Sequence, residues 1–149
     1  MKLKSAYAGC LVLVLALLSG CASVPMASSE ADAQAKTFAV KPGKANIYVY
    51  RHETMGAAIP MTVSLNGRVV GQTASKTYFL FEVDPGNYEV TSHTENVDTL
   101  RLAAAAGRNY YVWQEVKMGL GSARSQLRQV DEATGRKDLA ECKLIQSKL

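Results

Sequence analysis

Apolar and polar side chains alternate with a period of two over most of residues 46–130, which points to β-strands. The segment NIYVYR (46–51) is apolar, aromatic and β-branched, as strands are. In MTVSLNGRVVGQ (61–72), Met61, Val63 and Leu65 alternate with polar residues up to Asn66-Gly67. Both central positions of a type I′ turn require positive φ, which Asn and Gly tolerate best, so this stretch predicts a hairpin. TYFLFEV (77–83) puts Phe79, Phe81 and Val83 on one face, and Asp84-Pro85-Gly86-Asn87 reads as a turn that returns the chain into YEVTSH (88–93) as its paired strand. VDTLRLAA (97–104) directs Leu100 and Leu102 inward, and Gly107-Arg108-Asn109 turns into YYVWQEV (110–116). KMGLGSARS (117–125) has two glycines and no alternation and reads as a mobile loop, with QLRQV (126–130) as the last strand. Asp131 can N-cap a helix running through EATGRKDLAECKLIQ, with Leu139, Cys142 and Ile145 spaced three apart, although Gly135 also lets DEATGR be read as a hairpin turn. Turn signals recur about every 8–14 residues, the spacing expected of a small antiparallel sandwich or barrel. The expected fold is mainly β: a small antiparallel β-sandwich of about seven strands with a short C-terminal helix, over residues 46–149.

The pattern changes before residue 46. Lys2 and Lys4 precede an apolar run, Leu11 to Leu18, that is too short for the ~20 residues a bilayer-spanning helix needs. A basic start, a short apolar stretch and small residues after it describe a secretory signal. Leu18-Ser19-Gly20-Cys21 has the order of a lipobox, in which an apolar residue and two small residues precede the cysteine that is acylated. Cleavage before Cys21 makes residues 1–20 a lipoprotein signal peptide. Several acyl chains on one cysteine suffice for stable anchoring at ~0.8 kcal/mol per buried methylene. Residue 22 is Ala rather than the Asp that retains lipoproteins in the inner membrane of enteric bacteria, which points to the outer membrane, with the domain facing the periplasm. Residues 21–45, rich in Ala and Ser with Pro25, read as the lipidated N-terminus and a flexible linker.

Charge and cysteine content narrow the partners. The formal charge is +4, of which Lys2 and Lys4 account for half, and no dense basic run marks a nucleic-acid surface. Of the three cysteines, Cys10 leaves with the signal and Cys21 carries lipid, so Cys142 stands alone, as a buried and inert thiol.

The succession of a lipobox, a linker, IYVYR, VSLNGRVVGQ, TYFLFEVDPGNYEV, LRLAAAAGRNYYVWQEV and a closing ECKL resembles a family of small bacterial lipoproteins carrying a domain of unknown function, similar to PEGA-type and other surface-displayed β-sandwiches. The resemblance covers roughly residues 45–145 and implies architecture; it brings no catalytic residues with it.

Candidate chemistry is sparse. His52 and His93 are the only histidines, without H-x-x-x-H or C-x-x-C spacing, and a cluster with Glu53 and Glu95 requires strands 46–53 and 88–95 to be neighbours. There is no G-x-S-x-G; GSARS (121–125) reads as loop punctuation and GLGSAR lacks the Gly-Lys-Ser/Thr of a phosphate loop. Glu82, Glu89 and Glu115 lie on strands that can share a sheet surface, and read as solvated. No catalytic residue, metal or cofactor is expected. The aromatics are richer: alternation puts Tyr111 and Trp113 on one face, with Trp113 expected in the core beside Phe79 and Phe81. Tyr48, Tyr50, Tyr88 and Tyr110 with Arg51 and Arg101 form the expected binding face, for a glycan, a peptide or another subunit. The functional expectation is a lipid-anchored envelope protein with a non-catalytic binding, adaptor or envelope-assembly role, its partners the membrane and an envelope protein or peptidoglycan. The alternatives are a cell-wall-directed hydrolase or metal-dependent enzyme, and a structural peptidoglycan tether.

Overall fold

A computed structural model describes residues 23–149. The expected signal peptide over residues 1–20, with Leu18, Ser19 and Gly20, and the expected acylation site Cys21 lie outside the described residues. Helix α1 (Ser29–Ala35) precedes eight strands: β1 (Ala45–Arg51), β2 (Met61–Leu65), β3 (Arg68–Thr73), β4 (Thr77–Val83), β5 (Gly86–His93), β6 (Val97–Ala104), β7 (Asn109–Met118) and β8 (Ala123–Val130). Helix α2 (Glu132–Ala140) and the short β9 (Lys143–Leu144) close the chain. The strands form two sheets, one ordered β8-β7-β1-β4-β9 and the other β3-β2-β5-β6. The mainly β fold with a short helix near the C-terminus is as the sequence predicts.

The layers follow from side-chain alternation. Ile47 and Val49 of β1, Phe79 and Phe81 of β4, and Val112 of β7 point from the larger sheet toward Val63, Val70, Val90 and Leu102 of the smaller one, making the inter-sheet core. Tyr48, Tyr50, Tyr78 and Tyr111 point to the opposite face, where α1, α2 and Cys142 cover them. A strand covered on both faces reads as a continuous apolar run, and every residue of β1 is buried.

Several expectations change. The sheets are not wholly antiparallel: β1 pairs in parallel with β7 and β4 with β9. Asn66-Gly67 forms the hairpin between β2 and β3, both residues at positive φ. Asp84-Pro85 makes no hairpin, because β4 pairs with β1 and β9 while β5 pairs with β2 and β6; the turn carries the chain between sheets. The loop expected over 117–125 shrinks to 119–122, since β7 and β8 pair out to Met118 and Ala123.

Residues 23–45 are not a free tether. Ser28 caps α1 by accepting from the Ala31 amide, and Ala35 is buried against the tyrosine face. Asp32 accepts from the Tyr78 hydroxyl (2.8 Å), the Leu144 amide (2.9 Å) and Lys36 Nζ (2.9 Å). Burial alone raises the Asp32 pKa, but these bonds outweigh it and hold the carboxyl below its ordinary value. Asp131 caps α2 as expected, through the Thr134 amide, but the helix stops at Ala140. Leu139 and Cys142 join the tyrosine layer, whereas Ile145 falls in the inter-sheet core. Gly135 resolves its own ambiguity: it lies inside α2 against the Tyr111 ring, where an added Cβ would overlap ring carbons.

Candidate functional site

The end of the sandwich where β1 and β7 finish and β2 and β8 begin carries the two most exposed large apolar side chains among the described residues, Met118 and Leu120. Arg51, the last residue of β1, turns inward beside Met61, Val116 and Ala123 and is wholly buried. Its guanidinium donates to the carbonyls of Ile59 (2.7 Å), Gly56 (2.5 Å) and Met55 (3.2 Å), pinning loop 52–60 to the strands. Burial lowers the Arg51 pKa, partly offset by the Glu53 carboxylate. Glu53 fastens the base of the same loop: one carboxylate oxygen accepts from the Trp113 indole (2.9 Å) and the Val116 amide (3.2 Å), and its carbonyl accepts from the Ser75 hydroxyl (2.7 Å).

The facing loop, 119–122, is held from below. The Glu95 carboxylate accepts from the amides of Leu120, Gly121 and Ser122 at 2.9–3.0 Å, and these bonds lower its pKa. Gly119 is required beside it, because a Cβ there would overlap the Ser122 carbonyl and crowd the Glu95 carboxylate. The two loops therefore hold Met118 (81% exposed), Leu120 (fully exposed) and Met55 (47% exposed) in solvent. A shallow cavity lined by Met55, Gly56, Ile59, Val116, Met118 and Ala123 lies between them. Apolar side chains on loops already tied down lose little further entropy when a partner covers them. The arrangement can bind an apolar surface.

The expected tyrosine and arginine face is not assembled. Tyr48 and Tyr50 are buried under the helices, donating to the Ala35 carbonyl (2.8 Å) and to Asp138 (2.6 Å). Their phenols are raised in pKa, chiefly by burial. Arg51 is buried as described, and Tyr88 and Tyr110 are half-buried against the inter-sheet core. Only Arg101 is exposed, paired with Glu89 at 2.8 Å. The correction has one cause: the helices occupy the face that a bare two-sheet sandwich would leave open. Trp113 likewise sits on the helix side, 5.1 Å from the His52 ring, not beside Phe79 and Phe81.

The structure separates the titratable candidates. His52 follows β1 in the larger sheet, 3.7 Å from Asp138, while His93 ends β5 in the smaller sheet. Strands β1 and β5 are not neighbours, and among the described residues no three His, Cys, Asp or Glu side chains gather as metal ligands would. Glu82 and Glu115 lie toward opposite ends of the larger sheet and Glu89 on the smaller one; they pair with Lys41, with Lys117 and Arg128, and with Arg101. Cys142 is buried and its thiol is pushed up to about 12 by that burial, so it stays protonated. Sequence reasoning missed one contact: Ser64 Oγ lies 2.9 Å from His93 Nε2 on the outer face of the smaller sheet. It missed the tip as well, although Met118-Gly119-Leu120 placed apolar residues around a glycine where loops are usually polar.

The chain belongs to a family of proteins of unknown function, DUF2846. The family model matches residues 41–126, more than half of the chain. A protein of Haemophilus influenzae described as uncharacterized is 31% identical over 137 residues, spanning 90% of this chain and 81% of the relative. The matched family segment contains β1 to β7 and both tip loops, while α1, α2 and β9 fall outside it.

Proposed function

We propose that this DUF2846 protein is a lipid-anchored bacterial envelope protein, acylated at Cys21, held at the outer membrane and facing the periplasm, where it acts as a non-catalytic binding or adaptor module. The anchor rests on Leu18-Ser19-Gly20-Cys21 directly after the apolar run. The binding role rests on the braced tip, where Met55, Met118 and Leu120 stand in solvent on loops fixed by Arg51, Glu53 and Glu95. Its partner is an apolar surface of another envelope component. Replacing Cys21 by Ser tests the anchor: the parent is expected to carry acyl mass and to fractionate with membranes, and the variant to lose both. A variant that stays in the membrane, or a parent without lipid, defeats this reading. Exchanging Met118 and Leu120 for Ser should abolish crosslinking from the tip to its envelope partner while leaving the fold intact.

The Ser64–His93 pair favours one competing reading, a hydrolase acting on cell-wall material, since a hydroxyl beside an imidazole is the start of a nucleophile–base arrangement. Ser64 is, however, only 2% exposed. Release of fragments from purified peptidoglycan by the parent but not by Ser64→Ala would establish that alternative. Sedimentation of the parent with intact peptidoglycan, without cleavage, would instead support a wall tether.

A further inference from the structure

The route of the chain between Ser23 and α1 gives the domain a defined side facing the anchor. Met26 bridges Ile145, the Ala27 amide donates to the Leu144 carbonyl (3.0 Å), and the Gln146 amide donates to the Pro25 carbonyl (2.9 Å). Residues 25–27 thus extend the larger sheet beyond β9. The Lys148 amide then donates to the Val70 carbonyl (3.0 Å) and Arg68 donates to the Lys148 carbonyl (3.0 Å), so the last residues close the gap to β3. The described chain starts on this closed β3/β9 edge, already hydrogen-bonded to it.

The composition of the edge differs from the rest of the surface. Its three segments, 23–29, 68–73 and 143–149, contain Arg68, Lys143 and Lys148 and no Asp or Glu. Met26 (39%), Val69 (53%) and Leu149 (57%) are exposed on them, and a groove lined by Val24, Pro25, Val69 and Lys148 runs between. Cys21 lies two residues before Ser23, a reach of at most ~7 Å.

We infer that the β3/β9 edge rests on an anionic phospholipid surface, with Arg68, Lys143 and Lys148 at the headgroups and Met26, Val69 and Leu149 against the interface. This deepens the proposed function and rests on acylation at Cys21. Short reach holds the edge within the headgroup region, and its basic side chains suit an anionic leaflet, since the nearby acids are already paired, Asp32 with Lys36 and Glu141 with Lys76. The same geometry sets the tip apart. Leu144 is in register with Tyr78, which is in register with Tyr50 and so with Trp113, and Met118 lies farther along β7 by about 17 Å. Strand β9 runs parallel to β4 and so opposite to β7, and the chain from Met26 back to Ser23 leads away from Met118. The domain lies on its closed edge with the apolar tip well displaced from the anchor.

Depth-dependent quenching tests this on the full-length lipidated protein in vesicles of phosphatidylethanolamine and phosphatidylglycerol carrying headgroup nitroxide lipids. A fluorophore is placed at Val69→Cys or at Leu120→Cys; Cys142 is buried and stays unlabelled. The label at position 69 should be quenched at least several-fold more than the label at 120. Equal quenching, stronger quenching at 120, or none at either position overturns the inference, the last showing a domain that stands off the bilayer. Arg68→Glu with Lys148→Glu should weaken quenching at position 69, and no change would remove the charge argument. Intact mass of the same samples reports acylation independently, so loss of the anchor and loss of the apposition are read separately.

Discussion

The two outward-facing sheet surfaces of this domain meet opposite fates. On the larger sheet, Tyr48, Tyr50, Tyr78 and Tyr111 project outward and are sealed by α1, α2 and Cys142. On the smaller sheet, Thr62, Thr91, His93, Thr99 and Arg101 project outward with no helix over them, and Thr91 and Thr99 bond to each other at 3.1 Å. Large amphipathic rings need cover, and Tyr48, Tyr50 and Tyr78 find polar partners for their hydroxyls at its margin, in Ala35, Asp138 and Asp32, while the Tyr111 hydroxyl is buried without one. Short β-branched hydroxyl residues satisfy themselves against water and one another and need none. The chemistry of each face thus states whether a further layer belongs there. The helices are part of the fold, not a decoration on a finished sandwich.

The contrast can be broken most forcefully at a tyrosine. Tyr48→Ala opens a ring-sized cavity under α1, and denaturant unfolding should show a loss of about 3–5 kcal/mol. Thr99→Ala on the uncovered face removes one cross-strand hydroxyl pair and should cost no more than about 1 kcal/mol. A loss at Tyr48 as small as that at Thr99 would mean that the helical layer contributes no stability.

Gly135→Ala separates packing from propensity. An exposed helix would gain about 1 kcal/mol from this exchange. Here the new methyl meets the Tyr111 ring, so a net loss of about 1–3 kcal/mol is expected in the same assay. A gain would place α2 farther from the sheet than the structure has it.

Asp32→Ala removes the acceptor shared by Tyr78, Lys36 and the Leu144 amide, and should cost about 1–3 kcal/mol. The pH dependence has a defined sign. The folded carboxyl titrates below its unfolded value, so its contribution is complete above the unfolded pKa and is lost as pH falls through the lower folded one. Protection of the α1 amides, relative to their intrinsic exchange rate at each pH, should fall on acidification through that window, ahead of protection in β2 and β5; simultaneous loss would show that docking of α1 does not depend on Asp32.

The mildest probe is the buried thiol. Cys142, pushed up to about 12, should resist alkylation at pH 8 in the native protein and react at the rate of an ordinary thiol once denatured. Rapid native labelling would show that the α2–β9 corner opens freely.

Local signals in the chain were sufficient for much of this architecture. Asn66-Gly67 marks its hairpin because positive φ is a property of those two residues, and Asp131 marks its cap because its carboxylate reaches an amide three residues on. Pairing between distant segments was less legible. Asp84-Pro85 has the same turn chemistry whether the next strand stays in its sheet or crosses to the other. Polar residues in the interior were missed for a similar reason: Gln114 donates to Ser92 and accepts from Thr73, partners far apart in sequence, so alternation alone misplaces it. Arg51 looked like a surface charge because the carbonyls that satisfy it belong to an irregular loop.

What the amino-acid sequence determined by itself is what depends on neighbours a few residues apart: the strands, the turn at 66–67 and the start of α2. What only the tertiary structure decided is which faces and edges remain free. Tyr48 and Tyr50 are exposed or buried according to α1 and α2, and residues 25–27 are a tether or a strand according to Leu144, Ile145 and Gln146. Burial is a property of pairs brought together from distant parts of the chain, and no local pattern carries that information.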